Sequence, residues 1–163
     1  MGTRKALVFS NRQMRRVDEI LVRLREASGS RFIALVSTSG QPITSSSVDA
    51  SPDALSLASL AASSFAATQQ LAEILAEREF TLLFHEGRDS NLHVSPVTER
   101  VLLVLTFGRE TQLGKVRLYT NRAVEALAPI FADAERDEED LAIDREYSAK
   151  ADQAIEDLFA DAE

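Results

Sequence analysis

The chain of 163 residues has no cysteine, only two histidines, and no run approaching the roughly 18 apolar residues of a membrane span. The missing cysteines exclude disulfides, thiolate metal sites and cysteine nucleophiles, and two histidines leave little for a histidine-rich metal centre. The six glycines are scattered: Gly87, Gly108 and Gly114 stand alone, and neither GxGxxG nor GxxxxGK[ST] occurs, so the chain holds no phosphate-cradling loop of its own. Near the N-terminus only Ala6 to Phe9 are consecutively apolar. That is too short for the apolar segment of a signal peptide, and the expectation is a cytoplasmic protein.

What remains is ordinary soluble-domain composition, 45% hydrophobic and 27% charged, in a length that fits one domain with an appendage. The formal charge of -8 is unevenly distributed. Residues 1–132 hold 13 acids and 15 bases, whereas residues 133–163 hold 13 acids and 3 bases. A tail of that kind stays solvated or docks on a basic partner, and it repels nucleic acid. The expected organisation is a body over 1–132 and an acidic tail over 133–163.

Met14, Val17, Ile20, Leu21 and Leu24 recur at helical spacing, with Ser10 or Asn11 to cap the start and Gly29 at the end. RFIALVS, the turn SGQP and PITSSSV then suggest a hairpin. After Pro52 and a capping Ser51 or Asp53 comes the alanine-rich stretch ALSLASLAASSFAATQQLAEILAEREF, the clearest helix in the chain. FTLLF, LHVSPV and VLLVLTF read as three strands joined by tight turns, the last apolar on both faces and therefore central. Pro96 confines its strand to a place where one amide needs no ladder bond. Thr111 opens a third helix with Leu113, Val116, Leu118 or Tyr119, Ala123 and Leu127 as its stripe, which Pro129 is expected to interrupt. ADAERDEEDLAID reads as a charged linker, and Tyr147, Ala151, Ile155, Leu158 and Phe159 mark a short amphipathic helix. This order favours an α+β fold with an antiparallel sheet.

Three features suggest function. FHEGRDSNLHV carries both histidines, and equal parity of His85 and His93 would place them on one sheet face with Glu86 or Asp89 nearby, as an acid/base pair requires. The alternative is a hairpin whose polar residues form the turn. In the long helix Ala58, Ala62 and Ala66 recur every four residues beside Ser59 and Ser63, a side of small bulk suited to close approach, while Leu57, Leu60, Ala61, Leu71 and Leu75 form a separate stripe expected to face the core. Arg12, Arg15, Arg16, Arg23 and Arg25 form a basic side of the first helix, open to an acidic partner, to the chain's own tail, or simply to solvent. DEEDLAID lacks the central glycine and final glutamate of a calcium loop, so no metal is expected there.

In order, ALVF, LASLAASSFAATQQLAEIL, FHEGRDSNLHV, LLVLTF and LGKVRLYTNRAVEALAPIF resemble the MglB-like proteins of the Roadblock/LC7 family over about residues 6–131. The resemblance implies five antiparallel strands ordered 2-1-5-4-3, with the long helix on one face and two helices on the other. It implies a homodimer in which the strand Phe80, Thr81, Leu82, Leu83, Phe84 and His85 pairs with its copy, removing an open edge. It further implies that two copies bind one Ras-like GTPase of MglA type and stimulate GTP hydrolysis in cell polarity or motility, which adds concentration at a cell pole to the cytoplasmic expectation. The effect would come from repositioning the GTPase's switch regions, without a cofactor, a catalytic residue or an arginine finger from this chain, although Arg88 and Arg109 invite that role. By the same resemblance Ser59, Ala62, Ser63 and Ala66 would face the GTPase, and Tyr147, Leu158 and Phe159 of the tail would make a second contact. A scaffold that binds a GTPase without changing hydrolysis is the alternative, and a small hydrolase using His85 or His93 is a third.

Overall fold

The structure is a computed structural model and describes residues 7–49, 53–78 and 82–160; at residues 138–148, 151, 152 and 154–160 it describes the backbone only. Helix α1 spans Asn11–Ser28. Ser10 Oγ accepts from the Gln13 backbone N–H at 3.2 Å and Gln13 Oε1 accepts from the Ser10 N–H at 2.8 Å, a reciprocal cap that satisfies two otherwise orphaned groups. At the other end Gly29 takes φ 74°, and its N–H donates to the Arg25 carbonyl at 3.1 Å. A Cβ there would lie 3.0 Å from Thr111 Oγ1, so backbone conformation and space both favour glycine.

Strands β1 (Phe32–Ser37) and β2 (Pro42–Ser47) form the first hairpin, followed by α2 (Ala54–Ile74), β3 (Leu83–His85), β4 (Asn91–Pro96), β5 (Val101–Phe107) and α3 (Leu113–Ala160). All strand pairs are antiparallel, in the order β2-β1-β5-β4-β3. β1 and β5 are buried almost throughout because both faces of the sheet are covered. Alternation divides their side chains between two cores. Ile33, Leu35, Leu103, Leu105 and Phe107 pack with Val17, Leu21 and Leu24 of α1 and Val116, Leu127 and Phe131 of α3. Phe32, Ala34, Val36, Leu102 and Val104 pack against Ala58, Ala61 and Ala62 of α2. The α+β architecture read from the element order, and the strand order that the family resemblance implies, are those observed.

The elements end elsewhere than expected in three places. α2 stops at Ile74, where Ala76 adopts φ 57° and the Glu77 N–H closes onto the Ala72 carbonyl at 2.9 Å. An alanine here fills the left-handed position usually given to glycine, so no composition signal marks the stop. β3 begins only at Leu83; Phe80 and Thr81 lie outside the described residues. α3 continues through Pro129 and through the stretch expected as a linker, ending at Ala160. Pro129 removes the bond that would reach the Glu125 carbonyl, but both residues are exposed, so water can serve that carbonyl.

Candidate functional site

The outer face of α2 reverses the usual amphipathic arrangement. Its inward side is built from Ala58, Ala61, Ala62 and Ala72, all buried, while Leu55, Leu60, Leu71, Ile74 and Leu75 are exposed, Leu60 to 66% and Ile74 to 79%. Small residues let the helix lie close to the sheet: a Cβ on Gly40 of the β1–β2 turn would meet the Ser59 Cα at 3.2 Å. The expected division of this helix is corrected accordingly. Leu60, Leu71 and Leu75 do not face the core, and Ala62, expected at the GTPase contact, is only 5% exposed and packs on the sheet. Leu57 and Ala61 do join that core.

Ser59, Ser63 and Ala66 are exposed. Their four- and three-residue spacing sets them in one strip, beside a second strip containing Leu60, Leu71 and Ile74. Ser63 Oγ donates back to the Ser59 carbonyl at 2.9 Å, so the hydroxyl lies along the helix. The result is a low-relief surface beside an exposed apolar ridge.

β3 supplies an open edge at the far end of the sheet. Leu83, Phe84 and His85 pair with Val94, His93 and Leu92 on one side, and among the described residues no strand covers the other. Phe84 is held by stacking on Phe107, with ring centroids 6.1 Å apart.

The two histidines lie on opposite faces, contrary to the parity expectation. His93 is cross-strand from Phe84, whereas His85 is cross-strand from Leu92, because the intervening loop changes the register. His93 is 2% exposed, and its Nδ1 has no hydrogen-bond partner among the described residues. Burial pushes its pKa down to about 4, against a favourable Leu83 backbone contact and with a smaller push from Arg117. It is a neutral core residue near pH 7. His85 is exposed, as are Glu86 and Asp89, so the loop gathers no acid/base pair around them. Arg88 and Arg109 are likewise exposed loop residues. Among the described residues no three histidine, aspartate or glutamate side chains could share a metal ion, and no helix is long and apolar enough to cross a membrane. Tyr147, Leu158 and Phe159 fall on the α3 backbone, but their side chains lie outside the described residues.

A five-stranded sheet ordered 2-1-5-4-3, faced by α2 on one side and by α1 and α3 on the other, makes this an α+β domain in which, among the described residues, the outer apolar face of α2 is left uncovered. The Roadblock/LC7 domain matches residues 16–107, and the chain belongs to that family. Among solved structures it is similar to an MglB described with a tetrameric arrangement, at 35% identity over 81% of this chain and 99% of that one, with a TM-score of 0.76. The gliding protein MglB from Thermus thermophilus matches at 34% identity over 80% and 99% of the two chains, TM-score 0.75. Myxococcus xanthus MglB matches at 37% identity over 72% and 95%, TM-score 0.68. A search of curated protein sequences found no match.

Proposed function

We propose that the protein is a homodimeric, non-catalytic activator of a small Ras-like GTPase of the MglA type, acting in the cytoplasm in bacterial cell polarity. The observation that carries this reading is the similarity to MglB structures at 34–37% identity over nearly all of their length. The body, residues 1–132, would supply the platform, and the acidic extension, residues 133–163, a second arm. Two copies would join through the open edge of β3, Leu83–His85, and through the Leu60–Leu71–Ile74 ridge of α2; of the other residues expected at this contact, Leu82 precedes the strand and Phe80 and Thr81 lie outside the described residues. The exposed ridge and the unpaired edge support this, since each is a liability in a lone chain.

The GTPase would rest on the strip formed by Ser59, Ser63 and Ala66, whose small side chains admit its backbone closely. Tyr147, Leu158 and Phe159 near the end of α3 would make the second contact. Acceleration of hydrolysis then requires tighter binding to the hydrolysis-competent conformation of the GTPase than to its resting one. Phosphate release by an MglA-type GTPase, measured with and without this protein, tests the reading. Stimulation is expected, and binding without stimulation would leave a scaffold instead. Tyr147→Ala with Leu158→Ala should weaken the complex; unchanged affinity would remove the second contact.

A further inference from the structure

The GTPase platform proposed above leaves the opposite face of the molecule unused, and that face carries unpaired charge. Arg12, Arg15, Arg16 and Arg23 are exposed on α1, and among the described residues none of them takes part in an ion pair. Arg12, Arg15 and Arg16 border one concavity with Glu19. Arg12 and Arg16 also line a groove against α3 with Glu125 and Asp133, yet Asp133 pairs with its helical neighbour Arg136 instead.

The two helices run antiparallel. The start of α1 lies beside Pro129 and Asp133, and its end, at Leu24 and Ala27, lies beside Tyr119 and Ala123. Ala134 is the last buried residue of α3 among those described, and Glu135, half-buried, still accepts from Thr98 Oγ1 at 3.1 Å, so the helix continues past the body for the 25 residues from Arg136 to Ala160. At a rise of about 1.5 Å per residue that extension is roughly 38 Å long. The stretch Asp133 to Glu146, where it begins, holds eight acids and two bases. It leads away from the chain's own arginines, while α1, roughly 27 Å long, is of a length to receive it from another molecule.

We infer that the arginine face of α1 docks the acidic segment 133–146 of α3 from a second copy of this chain. Charge complementarity selects the occupant: beyond Asp133, which lines the groove with Arg12 and Arg16, the acids of α3 are carried past the start of α1 and away from the basic face of the same molecule. Laid antiparallel, two copies exchange segments reciprocally, each giving one acidic helix and receiving one, which closes the pair by twofold symmetry. This contact uses neither the α2 face nor the β3 edge, and it therefore joins platforms to one another. At physiological ionic strength charges are screened over about 8 Å, so the contact weakens as salt rises.

Sedimentation of the full-length chain over a concentration series at low and high sodium chloride tests this. The expected result is a salt-sensitive association step that Arg12→Glu with Arg15→Glu and Arg16→Glu weakens at least tenfold. Glu138→Gln with Glu139→Gln and Asp140→Asn should weaken it similarly. Combining the three arginine reversals with Glu138→Lys, Glu139→Lys and Asp140→Lys should restore it, which also shows that the reversed variants fold. Association indifferent to the reversals, or no rescue by the charge exchange, overturns the inference. So does binding to phosphatidylserine vesicles that the arginine reversals abolish while self-association stays unchanged, since the face would then serve a lipid surface.

Discussion

Ala62 and Ala66 are one helical turn apart, and substituting each with arginine should give opposite results. Ala62 is 5% exposed and sits among Phe32, Ala34 and Val104 on the inner side of α2. A guanidinium there must be buried without a partner or must lift the helix from the sheet, and an uncompensated buried charge costs about 3–5 kcal/mol. For a chain of this size each kcal/mol lowers the melting temperature by about 2–4 °C, so Ala62→Arg should melt at least about 6 °C below the parent. Ala66 is exposed, and a surface substitution there should change stability by no more than about 0.5 kcal/mol. Thermal melts by circular dichroism, run at equal protein concentration because association itself raises the midpoint, separate the two. Phosphate release should then show Ala66→Arg folded but no longer stimulating the GTPase. Equal melting temperatures for both variants would refute the placement of Ala62 against the sheet, and full stimulation by folded Ala66→Arg would refute the GTPase strip.

Three further outcomes follow from the geometry. The pKa of His93 falls from 6.5 in an unfolded chain to about 4 in the fold, so between those values only the unfolded state takes up the proton and stability drops as pH falls. From pH 7.5 to 5 the parent should lose on the order of 2 kcal/mol relative to His93→Leu in urea titrations; parallel curves would show that His93 is not buried neutral. Ala76→Gly should raise stability by about 1 kcal/mol by relieving the left-handed alanine at φ 57°, and a lower denaturation midpoint would mean that the α2 terminus is not strained. Leu60→Glu combined with Leu71→Glu should leave the fold of each chain intact by near-native circular dichroism while halving the particle mass in light scattering; an unchanged mass would move the dimer contact away from α2.

The sheet was legible in the sequence because its strands differ in kind. VLLVLTF has no polar face and reads as central, as observed, whereas the full order was expected only from the resemblance to the Roadblock/LC7 family. Caps at Ser10 and Gly29 fixed the first helix for the same local reason. The long helix was harder to orient. Hydrophobicity alone would turn its leucines inward, but it is Ala58, Ala61 and Ala62 that are buried in the cluster with Phe32 and Val104, while Leu57 and Phe65 are only partly buried against it. Periodicity records which residues share a side; it carries no sign for which side is inside when the large apolar residues are the exposed ones. The histidine pair failed for a related reason: parity survives along a strand but not across a five-residue loop, so His85 and His93 part company at Glu86–Ser90. Pro129 misled because the Glu125 carbonyl it strands is at an exposed position where water can serve it, and the helix carries the proline without ending there.

The inverted α2 also couples occupancy to local order. With alanines inward and leucines outward, much of the apolar surface of this helix leaves water only when another molecule lies over it. Covering the face and stabilising the helix are then the same event, so opening of α2 to solvent should slow in proportion to coverage. Amide hydrogen exchange along Ala54–Ile74 would act as a built-in occupancy gauge, needing no label and reporting whichever body covers the face.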